Sequence, residues 1–316
     1  MIIPFGFDFH NLSSVTVYAC DFGAVPDGSR PPRVDFPRRS AIRFGIDSQR
    51  QKARYSIRRF SRVLAGLLAG YAIMLLLAFF FADRVIFVPH PSSYRDAAWT
   101  IKLPAGDGVE ISAVYLPNPA ARYTVLFSHG NAEDLGDDMD FLGDYRAHGF
   151  SVFAYDYHGY GTSGGRPSER NAYRDVDAAY GYLSGRLGIS PGRIIDHGRS
   201  LGGGVAVDLA SRRKLAGLIL ESTFVSTFHV PSRFNFAPFD EFASIDKISA
   251  VHCPVLVIHG KKDNMIHLWH AEALFQKANQ PKRFWWVEGA GHNDCWDVAG
   301  EKYWQTIQSF AQSLGR

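Results

Sequence analysis

Two hydrophobic rhythms divide this chain. Residues 63–81 run VLAGLLAGYAIMLLLAFFF, nineteen positions without a charge. From Val85 onward, short apolar runs of strand length alternate with longer segments whose apolar positions recur every three or four residues. The short runs predict strands at 99–103, 109–115, 123–128, 150–155, 194–195, 215–220, 254–258 and 283–287. The longer ones predict helices at 134–148, 168–187, 201–213, 268–278 and 297–314. Gly106-Asp107-Gly108 lies between the first two strands and signals a hairpin, so those two should pair antiparallel. The others are continuous apolar strands separated by helices, the pattern of a parallel sheet covered on both faces. The expected fold class is therefore α/β, with an eight-stranded, mostly parallel sheet and helices on both sides.

The charge-free run has its own consequence. At about 1.5 Å per residue it reaches about 28 Å, close to the ~30 Å hydrocarbon core of a bilayer. It predicts one membrane span through 63–81, in competition with a buried core helix. The run ends in Phe79-Phe80-Phe81 and lacks a small-x-small cleavage pattern, which favours an uncleaved signal anchor over a removed signal peptide. Arg50, Lys52, Arg54, Arg58, Arg59 and Arg62 precede it, whereas Arg84 and Arg95 are the only basic residues in the twenty that follow. The positive-inside rule then puts the N-terminus in the cytoplasm and the rest of the chain on the extracytoplasmic side.

Composition narrows the class. With 316 residues, 46% hydrophobic and 14% aromatic, the chain can fill a substantial core. The net charge of +3 conceals an asymmetry: residues 1–62 hold eleven Lys/Arg against five Asp/Glu, a balance of +6, leaving −3 for the remainder. That remainder presents no basic face, so nucleic acid is not an expected partner. Cys20, Cys253 and Cys295 are too few and too scattered for a disulfide framework or a thiolate metal site. Residues 1 to about 50 carry Pro31-Pro32, Pro37 and several glycines without a sustained period, and are expected to be disordered or poorly packed. The resulting division is an extension over 1–55, a basic flank and span over 56–84, and an α/β domain over 85–316.

Chemistry concentrates where strand 194–195 gives way to helix 201–213. The junction reads Gly198-Arg199-Ser200-Leu201-Gly202, a Gly-x-Ser-x-Gly turn. A nucleophile on so tight a turn sits in strained backbone space, and side chains two residues away on either side would collide with it. Gly198 and Gly202 answer that need. The turn would lift the Ser200 hydroxyl clear of the sheet and leave the Leu201 N–H at a helix N-terminus, available to a developing oxyanion. The pentapeptide alone also suits an ordinary glycine-rich turn, so its partners decide.

Those partners are expected at the carboxyl ends of strands. Asp263 follows the strand at 254–258, and His292 follows the last strand in Gly289-Ala290-Gly291-His292. The order Ser200, Asp263, His292 is the order of a hydrolase triad, with His292 as base and Asp263 fixing the imidazole tautomer. The loop Ser128-His129-Gly130-Asn131 after the third strand is assigned the second oxyanion donor, the Asn131 backbone N–H. His129 is expected to hold the shape of that loop. Glu133, Asp134, Asp137, Asp138 and Asp140 are expected to be solvated, dipole-matched residues at the start of a helix; no metal site and no cofactor are expected.

Residues 85 to about 310 resemble an α/β-hydrolase of the Bem46/ABHD17 type, the branch that contains mammalian depalmitoylases. The resemblance rests on FSHGNAEDLG (127–136), YDYHGYGTSGG (155–165), HGRSLGGG (197–204), LESTF (220–224), CPVLVIHGKKD (253–263) and GAGHND (289–294). His158 stands where that family commonly has Arg, which bears on a local ion pair. A membrane span replaces the family's N-terminal cysteine cluster. The resemblance implies a serine hydrolase with a short cap at about 225–250, rich in aromatics at Phe224, Phe228, Phe234, Phe236 and Phe239. The expected activity is hydrolysis of a carboxylic ester or thioester in a small-molecule or lipid-linked acyl substrate, through an acyl-serine. A peptidase or amidase on the same scaffold and a non-catalytic tethered binding protein are the alternatives.

Overall fold

The computed structural model describes residues 39–106, 108–231, 233 and 237–315, with side chains from Ser48 onward. The expectations for residues 1–38, Cys20, Asp107, Phe234 and Phe236 lie outside the described residues. The chain divides into two compact units, one up to Leu67 and one from Leu68 onward. Helix α1, Arg39–Ile86, begins in the first and ends in the second.

Residues 39–55, expected to be disordered or poorly packed, are the start of α1, and those from Ser48 on are exposed. No proline lies between Pro37 and Pro89, and the two bracket the helix. Gly45 is the one weak helix former of its kind before Gly66, and it is outvoted by its neighbours. Among the described residues α1 is the one helix long and apolar enough to cross a membrane.

In the second unit the eight strands described are β1 (Ile101–Pro104), β2 (Glu110–Leu116), β3 (Thr124–Ser128), β4 (Ser151–Tyr155), β5 (Ile194–Arg199), β6 (Gly217–Glu221), β7 (Val255–Gly260) and β8 (Lys282–Val287). They form one sheet in the order β1-β2-β4-β3-β5-β6-β7-β8. β1 pairs antiparallel with β2, and β2 antiparallel with β4; every later pairing is parallel. The mixed sheet matches the expected α/β class.

Alternation along each central strand divides the core into two halves. Leu126, Phe153, Ile194 and Leu220 face one side, packed with residues of α3 (Glu169–Gly181) and α4 (Leu201–Arg212). Val125, Phe127, Val152 and Ile219 face the other, against α2 (Leu135–Ala147) and the C-terminal α8 (Glu301–Ser313). The remaining helices are α5 (Ser244–Lys247), α6 (Trp269–Lys277) and α7 (Cys295–Ala299).

Three boundaries move. The strand at 194–195 extends through Arg199, because ladders with β3 and β6 carry its polar residues along. The helix at 297–314 is two helices, broken by Gly300 at φ +52°. The helix at 168–187 changes after Gly181 into one widened turn, Tyr182–Arg186.

Candidate active site

β5 runs directly into α4, and Ser200 is the single residue between them. Its backbone lies at φ +52° and ψ −114°, a conformation a non-glycine residue adopts only under constraint. The constraint is visible on both sides. A Cβ on Gly198 would come within 2.2 Å of the Gly202 carbonyl oxygen, and one on Gly202 within 2.0 Å of the Ser128 carbonyl oxygen. The Ser200 N–H donates to the Glu221 carbonyl at 2.9 Å, and the Thr223 hydroxyl donates to the Ser200 carbonyl at 2.8 Å, so the end of β6 holds the turn.

The structure brings the three separated residues together. His292 Nε2 lies 2.9 Å from Ser200 Oγ, and His292 Nδ1 lies 2.7 Å from Asp263 Oδ2. The other Asp263 oxygen accepts the backbone N–H groups of Met265 at 2.9 Å and Ile266 at 2.7 Å. Burial pushes the Asp263 carboxyl upward, but the hydrogen bonds from His259 and His292, the His292 charge and the Ile266 N–H outweigh it. The net effect holds this carboxyl well below the usual carboxylate range. His259 Nε2, 3.3 Å from Asp263 Oδ2, is a buried neighbour that the sequence reading missed, although it sits in the quoted CPVLVIHGKKD stretch. In this geometry an ionised Asp263 fixes a proton on His292 Nδ1 and leaves Nε2 free to accept one from Ser200.

Leu201 is the first residue of α4, where backbone N–H groups have no intrahelical acceptor. Asn131 lines the same cavity as Ser200 and Leu201. Its side chain faces elsewhere: Nδ2 donates to the Ile86 carbonyl, and Oδ1 accepts from Val88 N–H at 3.0 Å and the Tyr160 hydroxyl at 2.6 Å. His129 is buried, with Nδ1 2.7 Å from the Gly130 carbonyl, and its own carbonyl accepts from the Tyr157 hydroxyl at 2.8 Å. These bonds suit a loop-shaping residue.

The acidic cluster is a correction. Asp134 and Asp138 are buried rather than solvated. Asp134 caps α2, and Asp137 completes the capping box. Glu133 and Asp138 both receive Arg199, from the elbow itself; the Glu133 contact is 2.8 Å. Glu133 also accepts the Gly130 N–H at 2.7 Å. A charge hidden at a strand end can exist only where carboxylates meet it, and the tertiary fold brings them from the start of α2 and the loop before it, more than sixty positions away. His90, Asp134 and Asp137 place ligand atoms within 4.8 Å of one another, but Asp134 is already engaged by Ser93 and the helix start. His158, in the family's usual Arg position, pairs with buried Asp175 at 2.6 Å.

Among known proteins, residues 119–242 match the family model described as serine aminopeptidase, S33. Over 199 residues the chain is 45% identical to alpha/beta hydrolase domain-containing protein 17B of Xenopus laevis, covering 62% of this chain and 69% of that one. It is 40% identical to the human 17B protein over 231 residues, 72% of this chain and 78% of the relative. With the human 17C protein the identity is 49% over 199 residues, 62% of this chain and 59% of the relative. Among solved structures, the Pyrococcus furiosus esterase Pf2001 superposes with TM-score 0.61 at 19% identity, over 72% of this chain and 99% of that one. The alpha/beta hydrolase GrgF from Penicillium superposes with TM-score 0.59 at 14% identity, over 67% and 97%. Fold and sequence thus agree, and the chain belongs to the alpha/beta hydrolase domain-containing protein 17 family of α/β-hydrolases.

Proposed function

We propose that this protein is a membrane-anchored serine hydrolase that cleaves carboxylic ester or thioester bonds through an acyl-Ser200 intermediate. The observation that carries the reading is the unbroken relay from Ser200 Oγ through His292 to Asp263, with links of 2.9 and 2.7 Å. His292 takes the Ser200 proton as Oγ attacks the acyl carbon, while the Leu201 and Asn131 N–H groups meet the oxyanion. The protonated His292 then gives that proton to the departing alkoxide or thiolate. Water, deprotonated by the same nitrogen, releases the acid and restores Ser200.

The cavity beside Ser200 favours an acyl group over an amino-acid residue. It has a volume of about 750 Å³, and its lining, which includes Phe224, Phe228 and Met265, contains no charged side chain. An aminopeptidase must recognise a substrate ammonium group, and among the described residues no carboxylate lines this cavity to do so. The anchor is α1 through residues 63–81, with the N-terminus cytoplasmic and the hydrolase unit outside. Proteolysis of the hydrolase unit only after the cytoplasm is opened would reverse that orientation.

Labelling with a fluorophosphonate tests the chemistry without presupposing a substrate. The detergent-solubilised wild type should label, whereas Ser200→Ala and His292→Ala should not. A folded wild type that stays unlabelled would leave the tethered binding protein as the better reading.

A further inference from the structure

One wall of the Ser200 cavity is supplied by α1. Its lining residues Met74, Leu77, Ala78, Phe81, Ala82 and Val85 follow the spacing of one helical face. The four from Met74 to Phe81 also fall inside the charge-free run at 63–81. The reverse face of the same turns is apolar as well, and both faces are exposed, Leu77 55% on the cavity side against Leu76 56% and Phe80 70% on the reverse, so the cavity is open along the helix. A helix that is apolar all round suits lipid. These turns therefore have the cavity on one side and a lipid-compatible surface on the other.

The helix is held in that place by the catalytic loop. Asn131, whose backbone is assigned to the oxyanion, binds the Ile86 carbonyl and the Val88 N–H with its side chain. Ser200 thus lies near the Ile86 end of the helical face, and Met74 lies at its far end. Twelve residues at about 1.5 Å each separate those ends by about 18 Å. An extended chain advances about 1.2 Å per bond, so this length matches an acyl chain of about fifteen carbons.

We propose that the Met74–Val85 face of α1 is a wall of the acyl-binding site, and that the substrate's long acyl chain slides onto Ser200 from the bilayer along this face. The proposal rests on the acyl-serine reading above. The anchor is then a specificity element of the hydrolase as well as a tether. A chain leaving lipid for this cavity exchanges one apolar surround for another and passes no charged side chain. Residues on this face set the chain length that fits, and the reverse face does not.

The test uses the full-length protein in phosphatidylcholine vesicles. The probe is an alkyl fluorophosphonate of about fifteen carbons, chosen to match that reach, with a diazirine at the far end. Once phosphonylated on Ser200, the protein should crosslink through the 74–85 peptide, and Ser200→Ala should abolish that crosslink. Phosphonylation of Ser200 with crosslinks confined to residues 224–231 and 265–266 would overturn the wall while leaving the acyl-serine reading intact. No phosphonylation of the folded protein would overturn both.

Kinetics give a second readout. Leu77→Trp should lower the ratio of long-chain to acetyl ester turnover on the order of tenfold or more, and Leu76→Trp should keep the wild-type ratio. Equal ratios in the two variants would sink the proposal. A long-chain ester in the same vesicle as the protein should be hydrolysed faster than the same ester confined to separate vesicles; equal rates would remove delivery from the bilayer.

Discussion

The two sides of Ser200 are built from opposite materials. On one side Arg199 turns into the half-core under α2, where Glu133 and Asp138 receive it and the Phe127 and Phe141 rings flank it at 5.2 and 5.1 Å. Nearby, the Tyr303 hydroxyl donates to Glu221 at 2.5 Å, and the Tyr145 hydroxyl lies 2.7 Å from His197 Nδ1. On the other side is a cavity without a charged lining residue among those described. The difference separates two jobs. Directional, charge-assisted bonds fix where Ser200 and the loop at 128–131 stand, because such bonds fail steeply with misplacement. An apolar cavity discriminates by volume, because dispersion and water exclusion have no direction.

The largest expected effect comes from breaking the relay. Asp263→Asn should lower kcat for ester hydrolysis by about 10⁴, because a neutral amide no longer secures the Nδ1 proton of His292. An unchanged rate would show that His259 or the backbone alone orients the base.

The charged side should respond in stability before chemistry. Glu133→Ala removes one of two carboxylates from Arg199 and the acceptor of the Gly130 N–H, at a cost of about 1–3 kcal/mol read from the urea midpoint. Glu133→Gln should recover part of that loss, since its amide oxygen can still accept. If Glu133→Ala left the midpoint in place, the clamp between elbow and oxyanion loop would be ornamental.

The smallest effect sharpens the comparison at Glu241. Burial, together with the charges of Asp83, Glu169 and Asp240, pushes the Glu241 carboxyl up to about 7. The folded state therefore holds this proton more tightly than the unfolded chain does. Its contribution is full below the ordinary glutamate value of 4.5 and is lost as pH rises through about 7. Glu241→Gln should flatten the fall in urea midpoint between pH 5 and pH 8, and a slope identical to wild type would show that other groups set it.

Much of this was legible in the chain. Apolar runs alternating with amphipathic ones dictate a covered sheet, because each strand must bury both faces and each helix one stripe. Gly198 was legible for a local reason, since a Cβ there meets the Gly202 carbonyl four residues on and sequence spacing measures that directly, whereas the neighbour that demands Gly202 is Ser128, which only the fold brings close. Asp263 and His292 were legible because chain order and strand ends constrain where partners can arrive.

What only the tertiary structure decided depends on contacts between distant segments. The sequence shows Arg199 as a charge at a strand end and the 133–140 acids as a helix start; only folding makes them partners, since a buried guanidinium has no local signature of who neutralises it. The same holds for α1. Nineteen uncharged residues announce a lipid-compatible helix, yet lipid and an acyl cavity ask for the same apolar side chains, so composition cannot assign one face to each. What the fold adds is the tie of Asn131 from the last turn of that helix to the loop beside Ser200.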